Sequence, residues 1–167
     1  TGNVSITSTN GSILPQADGA VITGNVVTLT AAGDVGSEDF RIQTDANEVN
    51  LNITGSGTLY LQNNGDLTLT DMTAANGTID LIADSFVDDG IQTTVLAADN
   101  IILQAASGIG AAGVFDIDTQ ASNITLNNTG AGNIFLHEAD GATLTSITAN
   151  DGTISAVSDT GDLSIGT

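Results

Sequence analysis

Hydrophobic and polar residues alternate along this chain in short runs, each bounded by Gly, Asn or Asp. Gly2-Asn3-Val4-Ser5-Ile6-Thr7, Asn25 through Thr30, Val49-Asn50-Leu51-Asn52, Leu59-Tyr60-Leu61, Gly65-Asp66-Leu67-Thr68-Leu69-Thr70 and Gly77-Thr78-Ile79-Asp80-Leu81 share the pattern. A period of two puts every second side chain on one face, so these runs predict strands with one buried side. No stretch carries apolar residues at helical spacing between caps, and essentially no helix is expected. Apolar strand starts at Val4, Ile22, Phe40, Leu59 and Ile79 recur at steps of 18 to 20 residues. Val49, Leu67 and Val87 form a second such series.

A longer period lies above this one. With Phe40 to Ile79 set beneath Phe115 to Ile154, 18 of the 40 positions are identical without a gap. Self-similarity of this kind, at an offset of about 75 residues, marks repeat architectures. The chain reads as one repeat over 1–75, a second over 76–150 and the start of a third over 151–167, all in one continuous solenoid. A step of 18–20 residues suits one coil of a parallel β-solenoid, stacked on the next at about 4.8 Å. Four coils fit each 75-residue unit, giving about nine coils over roughly 40 Å, with an axial repeat of ~19 Å. The competing architecture is a pair of tandem β-sandwiches. A sandwich core ordinarily uses several large aromatic anchors, and two such domains need a linker. Aromatics make up only 3% of this chain, and Pro15 is its only proline. A propeller fits less well, because the repeat unit is too long for a single blade of four strands.

Composition narrows the function classes. One Lys or Arg stands against 20 Asp and Glu, for a formal charge of −19. Binding to nucleic acid needs cations to displace phosphate counterions, and a polybasic membrane contact needs them equally. The absence of Cys removes disulfides and thiolate metal sites. No apolar run approaches the ~20 residues of a membrane span. The chain starts at Thr1 with no preceding signal-peptide core, so it is expected to be a piece of a longer or processed protein.

Several segments resemble the repeats of filamentous-haemagglutinin-type exoproteins and of similar giant bacterial surface proteins. They are Val27-Thr28-Leu29-Thr30-Ala31-Ala32-Gly33-Asp34-Val35-Gly36, Asn133-Ile134-Phe135-Leu136, Asn76-Gly77-Thr78-Ile79-Asp80-Leu81 and Gly2-Asn3-Val4-Ser5-Ile6-Thr7. The likeness spans essentially the whole chain, with motifs common to many solenoids. It implies a right-handed parallel β-helix, bacterial export to the cell surface, and a role as an adhesin shaft or surface fibre. The regular 75-residue period and the acidity depart from that family, so an adhesive tip is not implied.

Candidate chemistry is sparse. Polysaccharide lyases and hydrolases also use β-helices, and they need clustered Asp, or a cation beside carboxylate-bound calcium. Arg41 is the only Lys or Arg, and its repeat partner is Asp116. A pairing of Arg41 with Asp39 or Asp45 is expected in preference to a catalytic role. His137 matches Gln62 and has no second His, so an exposed strand position is the plainer reading. No catalytic, cofactor or resident metal site is therefore expected, beyond diffuse screening of the acids by Ca²⁺ or other cations. Asp88-Asp89-Gly90 is the densest acidic pair, but it does not recur and no calcium-loop motif surrounds it. Thr-x-Thr words such as Thr28-Leu29-Thr30 raise ice binding, yet they do not recur on every coil, and Thr also suits strands by shape. The triplets Asn52-Ile53-Thr54 and Asn123-Ile124-Thr125 follow from a composition rich in Asn and Thr.

Alternation sends Tyr60 and Phe135 outward at equivalent places in the two repeats, as a lateral contact or a carbohydrate platform, unless a long turn folds over them. Phe40 and Phe115 fall in the inward series and are expected in the core. The reading is a non-enzymatic, extracellular structural segment, continued by tandem repeats or by end-to-end stacking of the exposed strand edges. A carbohydrate-binding or carbohydrate-cleaving β-helix is the alternative.

Overall fold

The computed structural model describes residues 1–17, 19–93 and 95–166. Twelve strands follow one another: β1 Val4–Ser8, β2 Val21–Ala31, β3 Ile42–Ile53, β4 Thr58–Asn63, β5 Leu67–Ala83, β6 Phe86–Asp88, β7 Leu96–Ala105, β8 Ile117–Ala131, β9 Ile134–Glu138, β10 Ala142–Asp151, β11 Ile154–Ser158 and β12 Leu163–Ile165. Every pairing between them is parallel, and no helix occurs among the described residues. Parallel strands cannot be joined by tight hairpins; here each strand pairs with the one a full circuit later, which makes a β-solenoid.

The longest ladder is Ile13, Val35, Leu59, Ile79, Ile101, Ile124, Leu144 and Ile165, eight rungs in all. A second is Leu67, Phe86, Ile109, Ile134 and Ile154. A third starts apolar with Leu29, Leu51, Met72 and Leu96, then turns polar through Thr119, Glu138 and Ser158. The inward residues of these ladders form one core that runs along the axis. The strand pattern explains it: in β4 buried Leu59, Leu61 and Asn63 alternate with more exposed Thr58, Tyr60 and Gln62. Close stacking at the turns requires glycine. A Cβ on Gly57 would lie 2.5 Å from the carbonyl oxygen of Gly33, one turn below.

The turns number about eight rather than nine. The shortest step, from Ile42 to Leu61, lies within the expected range, but the longest, from Ile109 to Ile134, well exceeds it. The expected series from Val4 to Ile79 mixes positions on different ladders. Val4 stacks on Val27 and Ile22 on Thr44; only Leu59 and Ile79 form a true rung. Loops of unequal length between strands produced the false regularity.

Phe40 and Phe115 are accordingly not in the core. Each is 45% exposed, in the turn before β3 or β8, and the first inward residues are Ile42 and Ile117. The Ser37 N–H donates to the Phe40 carbonyl and the Ala111 N–H to that of Phe115, closing matching turns.

The longer steps change the relation between the repeats. From Leu59, three turns lead through Ile79 and Ile101 to Ile124, and a fourth reaches Leu144. Ile134, the sequence match of Leu59, falls midway between Ile124 and Leu144 along the chain, on the Phe86–Ile109 ladder. The offset between repeats is therefore about three and a half turns, and matched residues project from different sides of the solenoid.

Candidate functional site

The outward-facing aromatics have different surroundings. Tyr60 lies between buried Leu59 and Leu61, and Phe135 between buried Ile134 and Leu136; both rings are half-buried. Tyr60 and Asp80 are rung partners, and Arg41 immediately precedes Ile42, the rung partner of Leu61. The Arg41 guanidinium sits 5.5 Å from the Tyr60 ring centre and donates to both Asp80 carboxylate oxygens, at 2.9 and 2.8 Å. A third bond, of 3.1 Å, goes to the Asp80 carbonyl. Arg41 thus pairs neither with Asp39 nor with Asp45. In a solenoid the near neighbours of an outward side chain lie one turn away, and Asp39 and Asp45 are exposed to water. The pairing shields one face of Tyr60. Because the repeats are half a turn out of phase, Tyr60 and Phe135 share no ladder and form no common platform.

At the positions 75 residues further along, Asp116 replaces Arg41, Asp118 replaces Gln43, His137 replaces Gln62 and Ser155 replaces Asp80. Asp118 and His137 are rung partners on β8 and β9. His137 Nδ1 lies 2.8 Å from Asp118 Oδ1, and Nε2 lies 2.8 Å from Asp159 Oδ1. A carboxylate on each ring nitrogen favours the imidazolium, so the His137 pKa is raised, chiefly by the Asp159 bond, against the opposing effect of burial. His137 is thus neither alone nor freely exposed; its side chain retains 23% exposure.

Gln92, in the segment after β6, reaches over this group. Gln92 Nε2 donates to the Val114 carbonyl at 3.3 Å and approaches Asp118 Oδ2 at 3.5 Å. A cavity of about 60 Å³ lies between Gln92, Val95, Asp118, Thr119, His137 and Asp159. Asp118 is buried, and that burial raises its pKa despite His137. Asp88, at the root of the loop, is also buried, and its pKa is pushed up to about 6. Desolvation is the main cause; Asp89, Asp118 and Asp116 add to it, while the Gly90 N–H opposes it through a 2.6 Å bond. Phe115 packs on Gly90 and helps close the turn.

Behind the wall sits a polar pair inside the core. Glu138 is fully buried, accepts from the Thr119 hydroxyl at 2.5 Å and from the Ala121 N–H at 3.2 Å, and has its pKa raised by burial. Its sequence match is Asn63, which accepts from the Thr44 hydroxyl at 2.8 Å and the Ala46 N–H at 3.1 Å. Asn63 also donates to the carbonyls of Ala46 and Asp66. The hydrogen-bonding frame recurs with an acid in place of an amide.

Sequence reasoning misses Asp118 and Asp159 as partners of His137. They stand one turn before it and one turn after, a spacing that becomes a signal once the turn length is known. No family model matches the chain, and neither a curated protein nor a solved structure matches it.

Proposed function

We propose that this chain is a non-enzymatic structural segment of a bacterial extracellular fibre or adhesin shaft, whose β-ladder continues by tandem repeats or by end-to-end stacking. The observation that carries the reading is the ladder itself, one unbroken parallel stack from β1 to β12 around a single apolar core. The charge of −19 opposes side-by-side aggregation and leaves axial growth as the favoured contact. The likeness of the repeats to filamentous-haemagglutinin-type exoproteins supports the same role.

Electron microscopy and diffraction of native material test this. The expected result is a thin unbranched fibre with a ~4.8 Å axial spacing. Each 75-residue repeat should rise by about 17 Å and turn by about half a revolution, rather than stack in register at ~19 Å. Compact particles that stay monomeric at high concentration and turn over a polysaccharide would overturn the proposal.

A further inference from the structure

The second repeat carries a group of donors that the first lacks. One ligand atom each from Asp116, Asp118 and His137 lie within 4.8 Å of one another. The three come from β8, its lead-in residue and β9, so paired strands hold them. One Asp116 carboxylate oxygen is buried and accepts no hydrogen bond. An unpaired buried carboxylate oxygen is costly, and in a native protein it needs a partner. The described residues supply none. The single Lys or Arg is Arg41, committed to Asp80 on another wall, while Asp116, Asp118 and Asp159 lie around one imidazole.

We propose that Asp116, Asp118 and His137 form a binding site for a divalent transition-metal ion such as Zn²⁺. Two carboxylate oxygens and one imidazole nitrogen form a mixed set suited to Zn²⁺ and its first-row neighbours; an all-oxygen calcium site would not recruit a histidine. Such ions bind these donors at about 2.0–2.2 Å in a tetrahedron, which puts donor atoms roughly 3.4 Å apart, so side-chain rotations that move the donors by about an ångström bring the three into range. His137 Nδ1 would exchange its bond to Asp118 for the metal and release its proton to solvent. Nε2–H would keep donating to Asp159 Oδ1, the outer carboxylate that commonly orients a metal-bound histidine. The adjoining cavity beside Asp118 and His137 has room for water to complete the coordination.

The first repeat is an internal control. Its matching residues, Arg41, Gln43 and Gln62, include a built-in cation and no histidine or carboxylate, so the three positions change character together. The inference does not depend on the fibre reading, because it concerns one wall of the solenoid.

The test uses the whole chain, ¹⁵N-labelled and stripped of metal, titrated with Zn²⁺ and separately with Ca²⁺. His137 is the only histidine, so its ring nitrogens are assigned without ambiguity. One equivalent of Zn²⁺ should move the Nδ1 resonance to the metal-bound range, leave Nε2 protonated, and raise the unfolding midpoint. Calcium should leave the imidazole unchanged. His137→Gln, which installs the first repeat's residue, and Asp116→Asn should each weaken Zn²⁺ uptake at least about tenfold. An unmoved Nδ1 resonance in the native chain at saturating Zn²⁺ would overturn the proposal whether or not either variant folds. Undiminished uptake by folded His137→Gln would do the same, pointing to diffuse binding by the acidic coat.

Discussion

The wall around Arg41 and the wall around His137 descend from the same 75-residue pattern, yet they solve the electrostatic problem in different ways. In the first, one guanidinium reaches past Tyr60 to Asp80 and neutralises it. In the second, Asp116 takes the place of the guanidinium, and a lone imidazole faces several carboxylates. The backbone ladder beneath is of the same kind in both. The inward positions therefore specify the solenoid, and the outward ones vary without disturbing it. The same division appears one layer deeper, where Asn63 and Glu138 occupy matched, buried sites with the same hydroxyl and N–H partners.

The largest expected effect tests whether the scaffolds are equivalent. Leu61 and Leu136 are matched and essentially fully buried. Leu61→Ala and Leu136→Ala should each destabilise the chain by about 2–5 kcal/mol, in line with large-to-small core changes elsewhere. Denaturant titration checks this, and a surface-like cost at either site would show that the two cores are not equivalent.

Next come the buried polar sites. Asn63→Ala leaves the Ala46 N–H and two carbonyls without their partner and should cost about 1–3 kcal/mol, nearly independent of pH. Glu138→Gln should behave otherwise. Burial raises the Glu138 pKa, so the ionised acid destabilises the fold above that value. The amide variant should be more stable than the parent at pH 8, and its advantage should shrink toward pH 5. Melting curves at the two pH values decide it.

The whole molecule should show a gentler version of that trend. Asp88, Asp118 and Glu138 all have raised pKa values, so the folded chain binds more protons than the unfolded chain between the ordinary carboxylate range and the raised values. His137 acts in the same direction. Its raised pKa gives stability that is complete below the ordinary imidazole value and lost as pH climbs through the raised one. Without metal, the melting temperature should rise from pH 8 to pH 5, at about 2–4 °C per kcal/mol for a chain of this size. A fall over that interval would contradict the assignment. The smallest effect belongs to Arg41→Gln. The pair it removes is partly exposed, and the loss should be about 1 kcal/mol, diminishing at high salt.

Much of the fold was legible because period-two alternation and bounding glycines report strands directly. Leu59-Tyr60-Leu61 and Gly65 to Thr70 read correctly as strands with one buried face. The turn length was less legible. Apolar residues start strands on every side of the solenoid, so spacing alone cannot say which two stack. Phe40 shows the consequence: it falls at an even interval between Ile22 and Leu59 but sits in a turn that only Ile42's stacking on Leu61 reveals. The grouping around His137 was only half hidden: Asp118 stands 19 residues before it, inside the expected step, whereas Asp159 stands 22 after it, outside that step. What the sequence did expose was the mismatch between repeats at Arg41 and Asp116, the point where the two walls part company.

The central claim, one unbroken stack of parallel turns, can be measured with two spin labels. Gln43, Gln62, Ile82, Gln104 and Asn127 are successive rungs, and the chain has no native cysteine to interfere. Labels on Gln43→Cys and Asn127→Cys stand four rungs apart, one in each repeat. They should give a narrow distance distribution centred at about 20 Å, four times the strand spacing. A broad distribution beyond about 30 Å, as two separately folded bodies of this size would give, would contradict the account.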